Sequence, residues 1–187
     1  MTKTPLSPQE TYSVLKEAEL LYPAEAVERA LNHMAHSITH VLESKNPLVL
    51  AVMIGGLVPV GRLLPKLRFP LELDYVHATR YQGHTEGKDL VWRARPATSL
   101  EHRVVLVVDD ILDAGITLAG ILSYCAEAGA QEVYSAVLVE KQRPRPPIVE
   151  HADFTGLVVD DRYVFGCGMD YRGYLRNMSG IYAVKGR

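Results

Sequence analysis

The chain has 187 residues, a formal net charge of −2, 48% hydrophobic side chains and 22% charged ones. That length favours a single domain that buries enough surface to need no staple, and the near-neutral balance argues against a dedicated nucleic-acid binder. Two cysteines, Cys125 and Cys167, make no disulfide framework, the polar start MTKTPLSPQE lacks the apolar core of a signal peptide, and no apolar run is long enough to span a membrane.

Ser7-Pro8-Gln9-Glu10 is a capping box with proline at the first helical position, and predicts a helix to about Leu20. Pro23 opens a second helix, in which Val27, Leu31, Met34, Ile38 and Val41 form an apolar stripe. His33, His36 and His40 fall on the opposite side. With no carboxylate among them they read as a solvated face rather than a metal site. Leu48 to Ile54 predicts a strand ending at Gly55-Gly56, and Leu71 to Thr79 a second one. Residues 80–89 are polar, glycine-bearing and without periodicity, the mark of a long surface loop and a candidate lid. Leu90 to Ala94 adds a short strand. Val104 to Val108 is an apolar run of the kind buried on both faces of a parallel sheet. A helix from Leu118 ends at Gly129, and Val133 to Val139 is a further buried strand. The run RPRPP at 143–147 is a break. Short strands follow at 155–159, 163–166 and 181–184; Cys167 is expected in a strand and Cys125 in the middle of a helix, both as buried inert thiols in a reducing cytoplasm.

Alternating strands and helices in the middle of the chain predict an α/β fold, a parallel sheet with helices on its faces. The two ends differ in character and are expected to pack together as a small second lobe. Residues 141–187 carry 8 basic and 5 acidic side chains, so the C-terminal part is positive while the rest is negative.

The stretch RVVLVVDDILDAGITL at 103–118 carries the most chemistry. It places Asp109, Asp110 and Asp113 where a parallel strand hands over to a helix, the position at which open α/β sheets bind ligands. Ionised Asp109 and Asp110 suit the hydroxyls of a ribose diol. Gly115 permits a positive φ, and the amides from Ala114 through Ile116 to Thr117, with the Thr117 hydroxyl, suit a phosphate monoester. Asp113 stands on the reacting side as a proton-transfer group. The Gly55 and Gly56 amides suit a second anion, and Lys141 emerges at the same sheet end as a donor to a carbonyl oxygen.

The segment VVLVVDDILDAGITL resembles the phosphoribosyl-diphosphate signature of type I phosphoribosyltransferases. VLVEK at 137–141 and DDRYVFGCGMDYRGYLRN at 160–177 are similar to the purine-binding elements of hypoxanthine-guanine phosphoribosyltransferases, and the resemblance extends from about Leu20 to Val184. It implies a type I phosphoribosyltransferase-like parallel sheet flanked by helices. One domain would span 1–187, with a core at about 24–145 and a hood from 1–23 plus 146–187. It implies purine salvage: transfer of a phosphoribosyl group from phosphoribosyl diphosphate to hypoxanthine or guanine, with Mg2+ as cofactor, in a cytoplasmic homo-oligomer, dimer or tetramer. Asp109 and Asp110 would hold the ribose hydroxyls, partly through magnesium-bound water. Asp113, Ala114, Gly115, Ile116 and Thr117 would hold the 5-phosphate, with Asp113 also near purine N7. Lys141 would donate to the 6-oxo group, Tyr163 would stack on the base, and the Val164 backbone would meet its Watson–Crick edge. Asp170 would help hold a magnesium on the diphosphate. Gly55, Gly56 and Arg176 would contact the leaving diphosphate, and Thr79, Arg80 and Tyr81 would begin the lid.

Three positions depart from the family pattern. Ile54 stands where many relatives have lysine, Ala114 where many have threonine, and Asp109 where others have glutamate. A non-catalytic regulator on the same fold, binding phosphoribosyl diphosphate or RNA, is the alternative. A response-regulator receiver would place its acidic pair near the chain start, and an aspartyl-phosphate phosphatase needs an acid-x-acid spacing that adjacent Asp109 and Asp110 do not supply.

Overall fold

A computed structural model describes residues 5–80, 90–143, 148–149 and 151–186, without the Arg80 side chain. Helix α1 (Pro8–Glu17) begins at the capping box, where Ser7 Oγ accepts the Glu10 N–H at 3.2 Å and the Glu10 carboxylate accepts the Ser7 N–H at 2.7 Å. It stops at Glu17 rather than Leu20, because Glu19–Tyr22 is drawn out as strand β1. Pro23 then caps α2 (Ala24–Leu42), whose buried side includes Val27, Leu31, Met34 and Ile38. His33, His36 and His40 are exposed on its outer side. Among the described residues no cluster of three or more ligating side chains suits a metal.

Six strands build the main sheet: β2 (Leu48–Val52), β3 (Glu72–Arg80), β4 (Leu90–Ala94), β5 (Val104–Leu112), β6 (Glu132–Gln142) and β7 (Phe154–Asp160). Their order is β4-β3-β2-β5-β6-β7, parallel except for β4, which runs antiparallel to β3. Successive strand residues point to opposite faces. Val49, Ala51, Leu106 and Val108 therefore meet α2 and α3 (Leu57–Leu63), while Leu48, Leu50, Val105 and Val107 meet α4 (Ile116–Glu127). Helices cover both faces, which is why the central strands are apolar throughout rather than alternating.

A second sheet joins the two ends of the chain, in the order β1-β9-β8, with β8 at Val164–Phe165 and β9 at Ile181–Ala183. Phe165, Leu175 and Val184 form its own small core, against which Val14, Leu15 and Ala18 of the α1 region pack. Not all of 146–187 lies in this lobe, because β7 extends the main sheet beside β6. Cys167 is in a turn with φ 49° rather than a strand, while Cys125 lies inside α4 as expected. Both are buried free thiols, and burial pushes Cys125 up to about 11 and raises Cys167.

Leu106 is fully buried at the centre of β5. Leu106→Ala is expected to lower stability by about 2–5 kcal/mol, read as a lower urea midpoint with an unchanged denaturant slope.

Candidate active site

The site arises from unequal strand lengths. β2 pairs with β5 as far as Ala51 opposite Val108, and its chain then turns away at Gly55-Gly56 into α3. β5 continues on its other side against β6, with Asp109 opposite Val137 and Leu112 opposite Glu140. The parallel ladder thus carries the strand through Asp109 and Asp110, past the end of its apolar run at Val108. Lys141 likewise sits within β6 rather than after it. The missing continuation of β2 leaves a cavity of about 590 Å³ at the carboxyl end of the sheet.

Most of the expected residues line this one cavity: Gly55, Thr79, Asp109, Asp110, Asp113, Gly115, Thr117, Lys141, Tyr163, Val164, Asp170 and Arg176. Three do not. Ala114 is turned the other way, its carbonyl accepting from the Ile148 N–H at 3.1 Å. Ile116 faces a separate groove on the outer side of α4, shared with Trp92 and Tyr124. Gly56 donates its N–H to the Val52 carbonyl at 2.8 Å, and an added Cβ would press on the Val52 and Val108 carbonyls at 2.6 and 2.8 Å. Its amide is committed inside the fold, contrary to the expectation that both glycine amides face an anion. The Arg80 side chain and Tyr81 lie outside the described residues.

Gly115 has φ 74°, a left-handed conformation open to glycine, and it precedes α4 with no side chain capping the helix. The first amides of α4 have no partner in the helix and make an anion-binding end beside Thr117. Gly55 is required for a different reason. A methyl group there would overlap the Asp110 carboxyl, and one at Gly168 would overlap the Gly55 carbonyl. Backbone and carboxylate meet here without room for a side chain.

Asp109 and Asp110 are each 8% exposed. Burial holds the Asp109 carboxyl well above the usual carboxylate range, and the neighbouring Asp110 charge adds to it. Burial also raises Asp110, against the pull of its Asp109 hydrogen bond and of Arg176. Arg176 is the cation set against the pair: its guanidinium lies 3.8 Å from Asp110, bonds Asp170 at 2.5 Å and donates to the Gly168 carbonyl. On the other side of the cavity, Lys141 Nζ lies 3.8 Å from Asp113 and 3.6 Å from Asp161. Arg143 bonds Asp113 at 2.5 Å and approaches Asp161 at 3.7 Å. Tyr163 presents a partly exposed ring, edge-on to Tyr171 at 5.6 Å.

Val164 opposes Ala183, and the Val184 N–H donates to the Tyr163 carbonyl at 2.8 Å. That pattern makes Val164–Ala183 a non-hydrogen-bonded pair, so the N–H and C=O of Val164 point away from β9. They are free to read a planar ligand edge.

A family model for the phosphoribosyl transferase domain matches residues 17–172. The chain belongs to this family. It is 30% identical to a hypoxanthine-guanine-xanthine phosphoribosyltransferase of Tritrichomonas foetus, over 89% of this chain and 91% of that one. It is 27% identical to a hypoxanthine-guanine phosphoribosyltransferase of Bacillus subtilis, over 89% and 93%. A solved hypoxanthine-guanine-xanthine phosphoribosyltransferase superposes with a TM-score of 0.80 at 27% identity, covering 91% of this chain and 97% of that one. A hypoxanthine phosphoribosyltransferase from Staphylococcus aureus, at 23% identity, shares the fold with a TM-score of 0.86 over 92% and 95%.

Four residues at or beside this phosphoribosyl transferase site have no role in the sequence pattern. Asp161 and Arg143 pair with the lining residues Lys141 and Asp113, and His77 and Arg93 carry no signal at all. Both of the latter line the cavity from β3 and β4.

The raised Asp109 carboxyl has a sign that can be checked. A carboxyl whose folded pKa lies above its unfolded value of about 4 stabilises the fold below that value. The contribution is lost as pH rises through the folded pKa. In metal- and ligand-free protein, Asp109→Asn is therefore expected to melt higher than the parent, by a margin that grows from pH 4 upward. A margin independent of pH in calorimetric melts would contradict this.

Proposed function

We propose that the protein transfers the 5-phosphoribosyl group from phosphoribosyl diphosphate to a 6-oxopurine, hypoxanthine or guanine, giving IMP or GMP and diphosphate. The observation that carries the reading is the juxtaposition of Asp113 and Lys141, 3.8 Å apart, in the same cavity as the α4 amino end. An acceptor and a donor at that separation match adjacent ring-nitrogen and 6-oxo positions of a purine. In the reaction the bond from ribose C1 to the diphosphate oxygen breaks and a bond from a purine nitrogen forms. Asp113 accepts the proton that leaves N7 as that bond forms. Lys141 donates to the 6-oxo group, Tyr163 stacks on the base, and the outward Val164 amide and carbonyl meet its Watson–Crick edge. The Asp113–Thr117 turn, with the first amides of α4, holds the 5-phosphate. Asp109 and Asp110 hold the ribose hydroxyls, and Gly55 with Arg176 faces the leaving diphosphate.

The carboxylates suit magnesium, an ion that takes one or two carboxylates plus substrate phosphates rather than a complete protein cage. Asp170, Asp109 and Asp110 would hold it, directly or through water, and it would neutralise charge on the departing diphosphate. Such a use of Asp109 and Asp110 accounts for two acids kept close together in a place that disfavours their ionisation. A purely regulatory role would need neither the Asp113–Lys141 pair nor Tyr163.

Among the described residues no helix is long and apolar enough to cross a membrane. We place the protein in the cytoplasm, where Cys125 and Cys167 stay reduced. We also assign it a homo-oligomeric state, dimer or tetramer. Leu73 and Tyr75 are about half exposed on the α3 side of β3, and Leu57 is similarly exposed on α3 itself, which leaves an apolar surface next to the site.

Incubation with magnesium, phosphoribosyl diphosphate and each nucleobase, followed by identification of the nucleotide, tests the reading. IMP and GMP are expected, and their absence would overturn it. Xanthine in the same assay shows whether its extra oxygen is accepted. Asp113→Asn is expected to lower turnover by about 10²–10⁴-fold while the affinity for phosphoribosyl diphosphate stays largely intact. Adenine is expected to be used little or not at all, since its amino group sets donor against donor at Lys141, and sites built on such a contact discriminate by ~10⁴-fold or more. Comparable rates with adenine and hypoxanthine would remove Lys141 from this role.

A further inference from the structure

The charges lining the cavity are unevenly committed. Among the described residues, Asp109, Asp110, Asp113 and Asp170 line it, together with the cations Arg93, Lys141 and Arg176. Lys141 is engaged with Asp113 and Asp161, and Arg176 with Asp110 and Asp170. Arg93 has no hydrogen bond or ion pair among the described residues. It is an exposed arginine in the cavity wall.

Its place in the fold is specific. β3 and β4 pair with Ala78 opposite Trp92 and His77 opposite Ala94, so Arg93 is the extra residue of a β-bulge. Bulges beside active sites re-aim a side chain. Trp92 next to it stays on the α4 face against Tyr124, at 4.7 Å between ring centroids. Arg93 instead joins His77 and Thr79 in the cavity wall. The order β4-β3-β2 puts this wall at the Gly55 end, across from Lys141 on β6.

The Gly55 end is short of positive charge. Ile54 has none, the Gly56 N–H is taken by Val52, and Arg176 is shared between two carboxylates. A diphosphate leaving there carries several negative charges, and a guanidinium offers two parallel donors to phosphate oxygens. Resting on the transferase reading above, we infer that Arg93, turned into the cavity by the β3–β4 bulge, is a diphosphate-binding residue of this enzyme. It supplies the side-chain cation that Ile54 and the glycine pair do not.

The test compares the full-length parent with Arg93→Gln and Arg93→Lys. Calorimetric titration with inorganic diphosphate in the presence of magnesium is expected to show binding about tenfold or more weaker in Arg93→Gln, with partial recovery in Arg93→Lys. The KM for phosphoribosyl diphosphate is expected to rise in parallel, while affinity for the nucleotide product, which lacks the diphosphate, stays within twofold of the parent. Diphosphate binding by Arg93→Gln within twofold of an active parent overturns the assignment to Arg93 alone. Equal weakening of both ligands overturns it as well, since that marks a general disturbance. A parent that forms no nucleotide from any base overturns the transferase reading itself.

Discussion

Two adjacent carboxylates in a place that water barely reaches are the constraint around which this molecule is arranged. Asp109 and Asp110 belong to a strand that is apolar on both sides of the sheet up to Val108, and they inherit its burial. A buried carboxylate pair is unfavourable on its own, because each loses hydration and each repels the other. What makes it tolerable is local. Asp109 accepts the Asp110 N–H at 2.8 Å, Arg176 stands 3.8 Å from Asp110, and the site opens to solvent through the cavity. In the proposed function, a cation or a sugar diol bound there would relieve this cost, and would couple ligand binding to folding through the same two side chains.

The remaining charges follow a related logic. Asp113 and Asp161 each face both Lys141 and Arg143, so two acids and two bases share one cluster on the β6 side. Among the described residues, the ion pairs of Asp113 all fall on Oδ1. They hold that oxygen in place. In the proposed reaction, where Asp113 would meet a single ring nitrogen, such holding sets orientation before the ligand arrives. These partners are partly exposed, so their contribution to stability is small. Their contribution to geometry is the relevant one.

Much of this was legible in the sequence because it is written in local patterns. The apolar run into Asp109-Asp110, the Gly115 turn and the α4 start lie within sixteen consecutive residues, and their handover from strand to helix follows from periodicity alone. The capping box at Ser7 and the stripe of α2 are equally local. What the sequence hid depends on partners far along the chain. The extension of β5 and β6 through polar residues comes from their mutual hydrogen bonds, which no side-chain pattern reports. Gly56 reads like Gly55, yet one packs between two strand carbonyls and the other against a carboxylate. Arg93 sits in an unremarkable run, LVWRA, and acquires a direction only through its bulge against β3. Ile116 and Ala114 belong to the same turn by position, yet neither lines the cavity.

The small lobe shows how distant segments set chemistry at one atom. Val164 presents its amide and carbonyl to the cavity because its pairing with Ala183 is the non-bonded kind, and that register is held by β9. β9 is in turn held by β1, through Glu19 opposite Ala183 and Leu20 opposite Tyr182. β1 is tied to the main sheet by the Tyr22 hydroxyl, which donates to the Val158 carbonyl at 2.6 Å. It is tied to the turn before β8 by Glu19, which pairs with Arg162 at 2.7 Å. A strand near the start of the chain thus fixes which backbone groups a purine would meet near its end. This explains why β1 interrupts what helix propensity would otherwise extend to Leu20: the residues after Glu17 are needed as a template for β9 rather than as a further turn of α1.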